Sequence, residues 1–97
     1  MTALRYAQQA LDDLERLVDF LIDNSPADAS ATYELIESAL VALERHPLIG
    51  RPAEAGLREV VISRGRTGYL ALYRYDEMRD EALVLAIRHQ REAGFHE

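Results

Sequence analysis

The sequence predicts an α+β fold in which a helical hairpin packs on a small antiparallel sheet, with the elements in the order (β)ααβββ. Residues 8–24 and 26–45 repeat apolar side chains at spacings of three and four, which is the period of a helix with one buried face. Residues 57–63, 69–75 and 82–89 are instead rich in β-branched, aromatic or alternating apolar residues, which favours strands. Helices followed by a run of strands are typical of an α+β domain.

The first predicted helix separates apolar from charged side chains. One face comprises Leu11, Leu14, Leu17, Val18, Leu21 and Ile22. The solvated face is expected to carry Asp12, Asp13, Glu15, Arg16, Asp19 and Asp23, with Phe20 as an apolar exception. Before this helix, Leu4 and Tyr6 alternate around Arg5, which predicts a short opening strand.

The second predicted helix has recognisable start and stop signals. Pro26 suits a first helical turn, and Ser25 with Asp28 three residues later resembles a capping box. The helix is expected to end before Pro47, because proline disfavours a helical conformation in the residue that precedes it. Two helices joined by so tight a connection form a hairpin.

The second half of the chain alternates loops and strands. Residues 47–56, PLIGRPAEAG, predict a loop, and residues 64–68, RGRTG, predict a turn. Side chains alternate between the two faces of a strand. In the middle strand this alternation predicts one face with Tyr69, Ala71, Tyr73 and Tyr75 and the other with Leu70, Leu72 and Arg74. In the last strand the same rule separates Leu83, Leu85, Ile87 and His89 from Val84, Ala86 and Arg88.

Length and composition exclude several classes of protein. A chain of 97 residues predicts one domain, residues 1–97. The absence of cysteine removes disulfides and thiolate zinc sites, and His46, His89 and His96 lack ligand-like spacing. We therefore expect no metal site and no cofactor. No apolar run reaches the length of a membrane span, and the N-terminus lacks a signal-like pattern, so we expect a cytoplasmic protein without membrane contact.

The net charge of −6 is unevenly distributed. Residues 1–50 hold three Arg against nine carboxylates, whereas residues 51–97 hold eight of each. Between residues 57 and 75 there are four Arg and one Glu, a local excess of +3. The total argues against charge-driven binding to nucleic acid, which requires a basic surface. The local excess nevertheless allows this part of the chain to meet an acidic partner.

An ordered set of short motifs runs through nearly the whole chain. These are YAQQA at residues 6–10 leading into Asp13-Leu14, HP at 46–47 followed by GRP at 50–52, GLRE at 56–59, GYLALYR at 68–74 and IRHQRE at 87–92. In this order and spacing the sequence resembles the RelE/ParE family of bacterial type II toxin–antitoxin toxins, in particular ParE of plasmid-stabilisation systems. The resemblance implies the same (β)ααβββ fold.

The resemblance also implies partners and activities. Members of this family are neutralised by a cognate antitoxin, here expected to be of the ribbon-helix-helix type, and DNA is contacted only through that antitoxin. ParE-like members bind DNA gyrase, whereas RelE-like members cut messenger RNA on the ribosome. The leading interpretation is a ParE-like gyrase inhibitor that is not an enzyme. The alternatives are a ribosome-dependent endoribonuclease and a non-toxic module that only binds its antitoxin.

The residues decide between these activities only in part. A ribonuclease needs a base, a phosphate-binding cation and an acid. By resemblance, Arg58 and Arg91 match two basic positions of RelE-like nucleases, and His89 or His96 is the candidate for proton transfer. Leu70 and Val60 stand where those nucleases have further basic residues. The Tyr that those nucleases have near the C-terminus is absent here. The predicted partner-binding residues are Arg58, Tyr69, Tyr73, Arg74, Arg88, His89 and Arg91. The alternative for the tyrosines and His89 is packing in the core, and for the two matched arginines a surface ion pair.

Overall fold

The computed structural model describes residues 1–64 and 67–90. It contains two α-helices, two short 3-10 turns and five strands: β1 (Ala3–Tyr6), α1 (Gln8–Asn24), α2 (Pro26–Val41), the turn Ala42–Glu44, β2 (Arg51–Pro52), the turn Glu54–Gly56, β3 (Arg58–Arg64), β4 (Thr67–Asp76) and β5 (Glu81–His89). The predicted elements are all present. Residues 65 and 66, the centre of the predicted turn, lie outside the described residues.

The five strands form one sheet in the order β1-β5-β4-β3-β2. Strands β2 to β5 pair antiparallel, while β1 pairs parallel to β5, with Leu4 opposite Ala82. The α+β prediction is thus confirmed, with one parallel edge and one two-residue strand added to it. A parallel pair needs a long connection between its strands, and here the helices and the rest of the sheet provide it.

The two helices cover one face of the sheet. Helix α1 has the predicted bounds and buries Ala10, Leu17 and Leu21. Helix α2 ends at Val41 and continues as a 3-10 turn, in which Leu43 is fully buried. The shared core consists of Ala10, Leu17, Ile36, Leu40, Leu43, Ile62, Tyr69, Ala71, Tyr73, Ala82, Val84 and Ile87. No helix in this described part of the chain has the length and apolar composition to cross a membrane.

Strand β4 has the predicted two faces, but β5 does not. Tyr69, Ala71 and Tyr73 are buried beneath the helices, and Arg74 is exposed on the opposite face. Between Leu72 and Tyr73 the register with β5 shifts, because the partner changes from Ala86 to Val84. This bulge reverses the alternation along β5. Val84 therefore shares the buried face with Ile87, and the prediction that they lie on opposite faces was wrong.

A buried carboxylate corrects the prediction for α1. Asp13 was expected in solvent, but only 3% of its surface is exposed. Its Oδ2 accepts a hydrogen bond of 2.9 Å from the buried N–H of Ile87 in β5, and its Oδ1 accepts one of 2.9 Å from Nε2 of Gln9. Arg16 lies 3.6 Å from the same carboxylate. The side chain thus ties α1 to the last strand.

Candidate functional site

Arg58, at the start of β3, binds a loop instead of pointing into solvent. It is opposite Tyr73 in the register of β3 and β4, and so lies on the side of the sheet that the helices cover. One guanidinium nitrogen, Nη1, donates to the carbonyl oxygens of Leu48 at 3.3 Å and Gly50 at 2.8 Å. The predicted nuclease cation is therefore engaged by backbone carbonyls of the same chain.

The hydroxyl of Tyr73 holds the same loop from within the core. It donates to the carbonyl of Pro47 at 2.7 Å and accepts from the N–H of Gly50 at 2.9 Å. Burial raises the pKa of Tyr73, while the Gly50 N–H and the Arg58 charge oppose that shift. A Cβ at Gly50 would lie 2.7 Å from the Tyr73 ring, so the close approach of this loop requires glycine.

Residues 47–50 are consequently fixed while their largest side chains point outward. Leu48 is 52% exposed and Ile49 is 61% exposed. Together with His46 and Pro47 they line a shallow, mostly apolar depression on the surface. The sequence showed this segment only as a loop. No signal in it distinguished an ordered, apolar loop from an ordinary connection.

The opposite face of the sheet carries the other predicted arginines. Arg74 is exposed, and Arg88 lies opposite Leu70 in the register of β4 and β5. Two ion pairs flank this face, Arg51 with Glu59 at 2.8 Å and Arg5 with Glu81 at 3.2 Å. The sheet therefore separates Arg58 from Arg74 and Arg88, and the predicted partner-binding set does not form one surface.

Tyr69 and Tyr73 lie in the core rather than at a surface. Their exposed fractions are 2% and 0%. Both rings therefore pack in the core, as the packing alternative expects, and their partner-binding role stays a prediction. His89 is half-buried, and its ring contacts Tyr69 edge-on with centroids 5.3 Å apart.

The two nuclease candidates that the structure describes, His89 and Arg58, lie apart in the sheet. His89 is opposite Tyr69 and Arg58 is opposite Tyr73, four residues further along β4. At ~3.3 Å per residue this separation amounts to about 13 Å along the strand. Arg91 and His96, the remaining candidates, lie outside the described residues. Among the residues that are described, no group of His, Asp and Glu side chains could hold a metal ion.

A polar latch at the chain start was not foreseen from the sequence. Oδ1 of Asp80 accepts hydrogen bonds from Oγ1 of Thr2 at 2.6 Å and from the Tyr75 hydroxyl at 2.8 Å. These bonds, that from Thr2 first, lower the pKa of Asp80, and the bond to Asp80 raises the pKa of Tyr75. The latch joins the residue before β1 to the turn between β4 and β5.

Comparison with known proteins places the chain in a family. Residues 4–94 match the model of the ParE toxin of the type II toxin–antitoxin system parDE. Toxin RelE3 of Caulobacter vibrioides is 30% identical over 92 residues, covering 95% of this chain and 98% of that protein. Toxin RelE1 of the same organism is 33% identical over 66 residues, covering 68% and 71% of the two chains.

Solved structures show the same fold. The chromosomal ParDE toxin–antitoxin system from P. aeruginosa aligns with a TM-score of 0.77 at 24% identity, covering 92% of this chain and 96% of that one. The toxin–antitoxin complex RelBE2 from Mycobacterium tuberculosis aligns with a TM-score of 0.62 at 27% identity, covering 94% and 93%. The isolated E. coli RelE toxin aligns with a TM-score of 0.68 at 14% identity, covering 97% and 89%. The chain belongs to the ParE family of type II toxin–antitoxin toxins, within the wider RelE/ParE group.

Proposed function

We propose that this toxin arrests growth in the bacterial cytoplasm by binding DNA gyrase, and that a cognate antitoxin neutralises it. The observation that carries the proposal is the separation of Arg58 from His89 in a chain that matches the ParE model over residues 4–94. A gyrase-binding toxin needs a complementary surface. It does not need a base, an acid and a phosphate-binding cation within reach of one bond.

The use of Arg58 supports a binding protein over a nuclease. Its Nη1 already donates to two carbonyl oxygens, and freeing it for a phosphate would leave both acceptors without that donor. Val60 and Leu70, at the positions where the resemblance implies further basic residues, have apolar side chains that supply no charge. These two positions thus offer no charge to stabilise a pentacoordinate phosphate.

The first alternative is a ribosome-dependent endoribonuclease. It is favoured by the RelE names of the two Caulobacter vibrioides relatives. On this proposal the cations are Arg58 and Arg91, and His89 or His96 transfers the proton. The second alternative is a non-toxic module that only binds its antitoxin. The separation of Arg58 from His89 supports it as well as it supports the leading proposal, and the two differ only in whether the toxin also binds a cellular target.

One set of experiments separates the three functions. The purified toxin is added to a DNA gyrase supercoiling assay and, separately, to ribosomes programmed with messenger RNA. We expect inhibition of supercoiling, intact messenger RNA, and relief when the antitoxin is added. Codon-dependent cleavage that Arg91→Ala abolishes would establish the nuclease instead. Growth that is unaffected by expression of the toxin alone would favour the antitoxin-binding module.

We further propose that the antitoxin is of the ribbon-helix-helix type and docks on the open face of the sheet. Leu70 and Leu72 give this face an apolar centre, and the exposed Arg74 beside them suits a carboxylate of an amphipathic partner. Arg74→Glu is expected to weaken antitoxin binding in titration calorimetry. Arg79→Glu is the matched control, because the Arg79 side chain is 78% exposed in the turn after β4. Equal affinities for both variants would rule out this face.

DNA binding provides a separate test of the same assignment. The net charge of −6 opposes contact between the isolated toxin and DNA. We therefore expect operator DNA to shift in a gel with the toxin–antitoxin complex and with the antitoxin, but not with the toxin alone.

A further inference from the structure

We propose that the pocket between β1 and the two helices binds one Lys or Arg side chain of the cognate antitoxin. The inference rests on the proposed function and deepens it, because it takes the antitoxin as the partner. The pocket has a volume of about 200 Å³. Sites for small organic ligands have ~300–1,000 Å³, so this one has room for a single long side chain. It is lined by Tyr6, Leu11, Leu14, Tyr33, Glu37 and Leu40.

The lining combines an apolar part with a polar part. Its three leucines can cover the alkyl stem of a Lys or Arg side chain, which is itself apolar. Glu37 is exposed and supplies the carboxylate that a cation needs when it leaves water. The rings of Tyr6 and Tyr33 add the attraction of aromatic groups for cations. The lining therefore suits a long cationic side chain better than a neutral apolar one.

The electrostatic environment of the pocket is negative. Burial raises the pKa of Tyr6, and Tyr33, Glu37 and Glu44 raise it further. Two carboxylates thus act on the Tyr6 hydroxyl in addition to the Tyr33 phenol. Groups that oppose a negative charge on Tyr6 favour a positive charge beside it.

The arginines of the same half of the chain do not reverse this balance. Residues 1–50 carry nine carboxylates and three Arg, a sum of −6. Two of these three cations, Arg5 and Arg16, already lie 3.2 Å and 3.6 Å from carboxylates of the chain, and the third, Arg45, is exposed. Arg16 also lies about 140° around α1 from Leu11, on another side of the helix. With all three counted, this half of the molecule attracts a basic partner.

The position of the pocket beside the open face indicates the antitoxin as that partner. Arg74, where the antitoxin is proposed to dock, is opposite Leu83, and Leu83 is opposite Arg5, the neighbour of Tyr6. Two strand spacings separate Arg74 from β1, which amounts to about 10 Å. About three extended residues span that distance. One antitoxin chain can therefore contact the open face and continue around the β1 edge into the pocket.

The test measures the affinity of purified, full-length toxin variants for the purified antitoxin by titration calorimetry. Leu11→Lys places an ammonium group of the toxin itself in the pocket beside Glu37, and is expected to weaken antitoxin binding about tenfold or more. Ile22→Lys is the matched control and should keep wild-type affinity. It makes the same change on the same helix, about 16 Å away, and the two side chains are similarly exposed, Leu11 at 46% and Ile22 at 54%.

A second pair of variants removes a charge at nearly constant size. Glu37→Gln is expected to bind the antitoxin about threefold to tenfold more weakly, with a smaller salt dependence than the wild type. Asp23→Asn is its control, because Asp23 is exposed at the far end of α1, about 18 Å from Leu11. The thermal midpoint of each variant confirms that it has folded.

A double-mutant cycle identifies the side chain that enters the pocket. Each Lys and Arg of the toxin-binding segment of the antitoxin is replaced by Ala, and the affinities are measured against wild-type toxin and Glu37→Gln. One of these substitutions is expected to lose most of its effect against Glu37→Gln, because the two residues then share one interaction. Additive effects in every cycle would overturn the inference.

The remaining results separate this inference from the proposed function. Weaker antitoxin binding by Leu11→Lys and Glu37→Gln, with both controls at wild-type affinity, supports it. Equal affinity of all four variants would overturn it while neutralisation and gyrase inhibition stay in place. Lost gyrase inhibition with intact antitoxin binding would also overturn it, since the pocket would then serve the target. A wild-type toxin that the antitoxin does not bind would contradict the proposed function as well.

Discussion

The strongest stability prediction concerns Asp13, the buried carboxylate that ties α1 to β5. Asp13→Ala removes the acceptor of the Ile87 N–H at 2.9 Å and leaves that buried donor unpaired. A hydrogen bond to a charged group contributes about 1.5–3 kcal/mol, and an unpaired buried donor carries a penalty of similar size. The better helix propensity of alanine returns about 0.5 kcal/mol. We expect a net loss of about 2 kcal/mol in the free energy of unfolding.

The assay is thermal and urea unfolding followed by circular dichroism. For a chain of this size, a loss of about 2 kcal/mol lowers the melting temperature by about 8–16 °C. Asp13→Asn keeps one oxygen to accept from the Ile87 N–H and should lose about half as much. The control is Asp12→Ala, because Asp12 is exposed and accepts a hydrogen bond of 3.0 Å from the Gln8 side chain one turn away, and it should stay within about 0.5 kcal/mol of the wild type. Equal melting temperatures for the two alanine variants would refute this reasoning, as would unchanged hydrogen exchange at the Ile87 amide.

Three further variants test the hydrogen bonds of Tyr73 to residues 47–50 and the latch formed by Thr2, Tyr75 and Asp80. Tyr73→Phe removes a donor to Pro47 and an acceptor from Gly50, so unfolding in urea should show a loss of about 1–3 kcal/mol. Gly50→Ala should lower the melting temperature, because its Cβ would lie 2.7 Å from the Tyr73 ring. The hydrogen bonds of Asp80 lower its pKa below the ordinary 3.8, so its stabilising contribution is present above pH 3.8 and is lost as the pH falls through the lowered pKa. Urea unfolding between pH 2 and 6 should therefore show a weaker acid dependence for Asp80→Asn than for the wild type, and identical profiles would contradict the role of the latch.

The sequence predicts the elements of this fold well because their signals are local. The bounds of α1 follow from a three-and-four spacing that its buried face confirms, and the two faces of β4 follow from the period of two. The bulge in β5 could not be foreseen in the same way. It depends on how Leu72 and Tyr73 align with a neighbouring strand, which no local pattern in β5 records.

The candidate site was harder to predict, because its chemistry depends on long-range partners. Asp13 lies among acidic residues that reach solvent, and its bond from the Ile87 N–H, 74 residues away, is the long-range contact that accompanies its burial. The Tyr73 hydroxyl reaches Pro47 and Gly50 across 26 and 23 residues. An amphipathic pattern assigns a residue to a face, but a buried polar atom is placed by the partner that satisfies it.

The positions of the arginines matter more for binding than the net charge of −6. Two arginines of the basic segment 57–75 lie on different faces of the sheet: Arg58 faces the helix side and bonds carbonyl oxygens, while Arg74 is exposed on the other face. Arg58 therefore serves mainly to hold the loop carbonyls of Leu48 and Gly50, whereas the exposed Arg74 can pair directly with a partner carboxylate. Because the sheet separates the two side chains, a partner on the open face can pair with Arg74 without displacing Arg58 from its carbonyl acceptors.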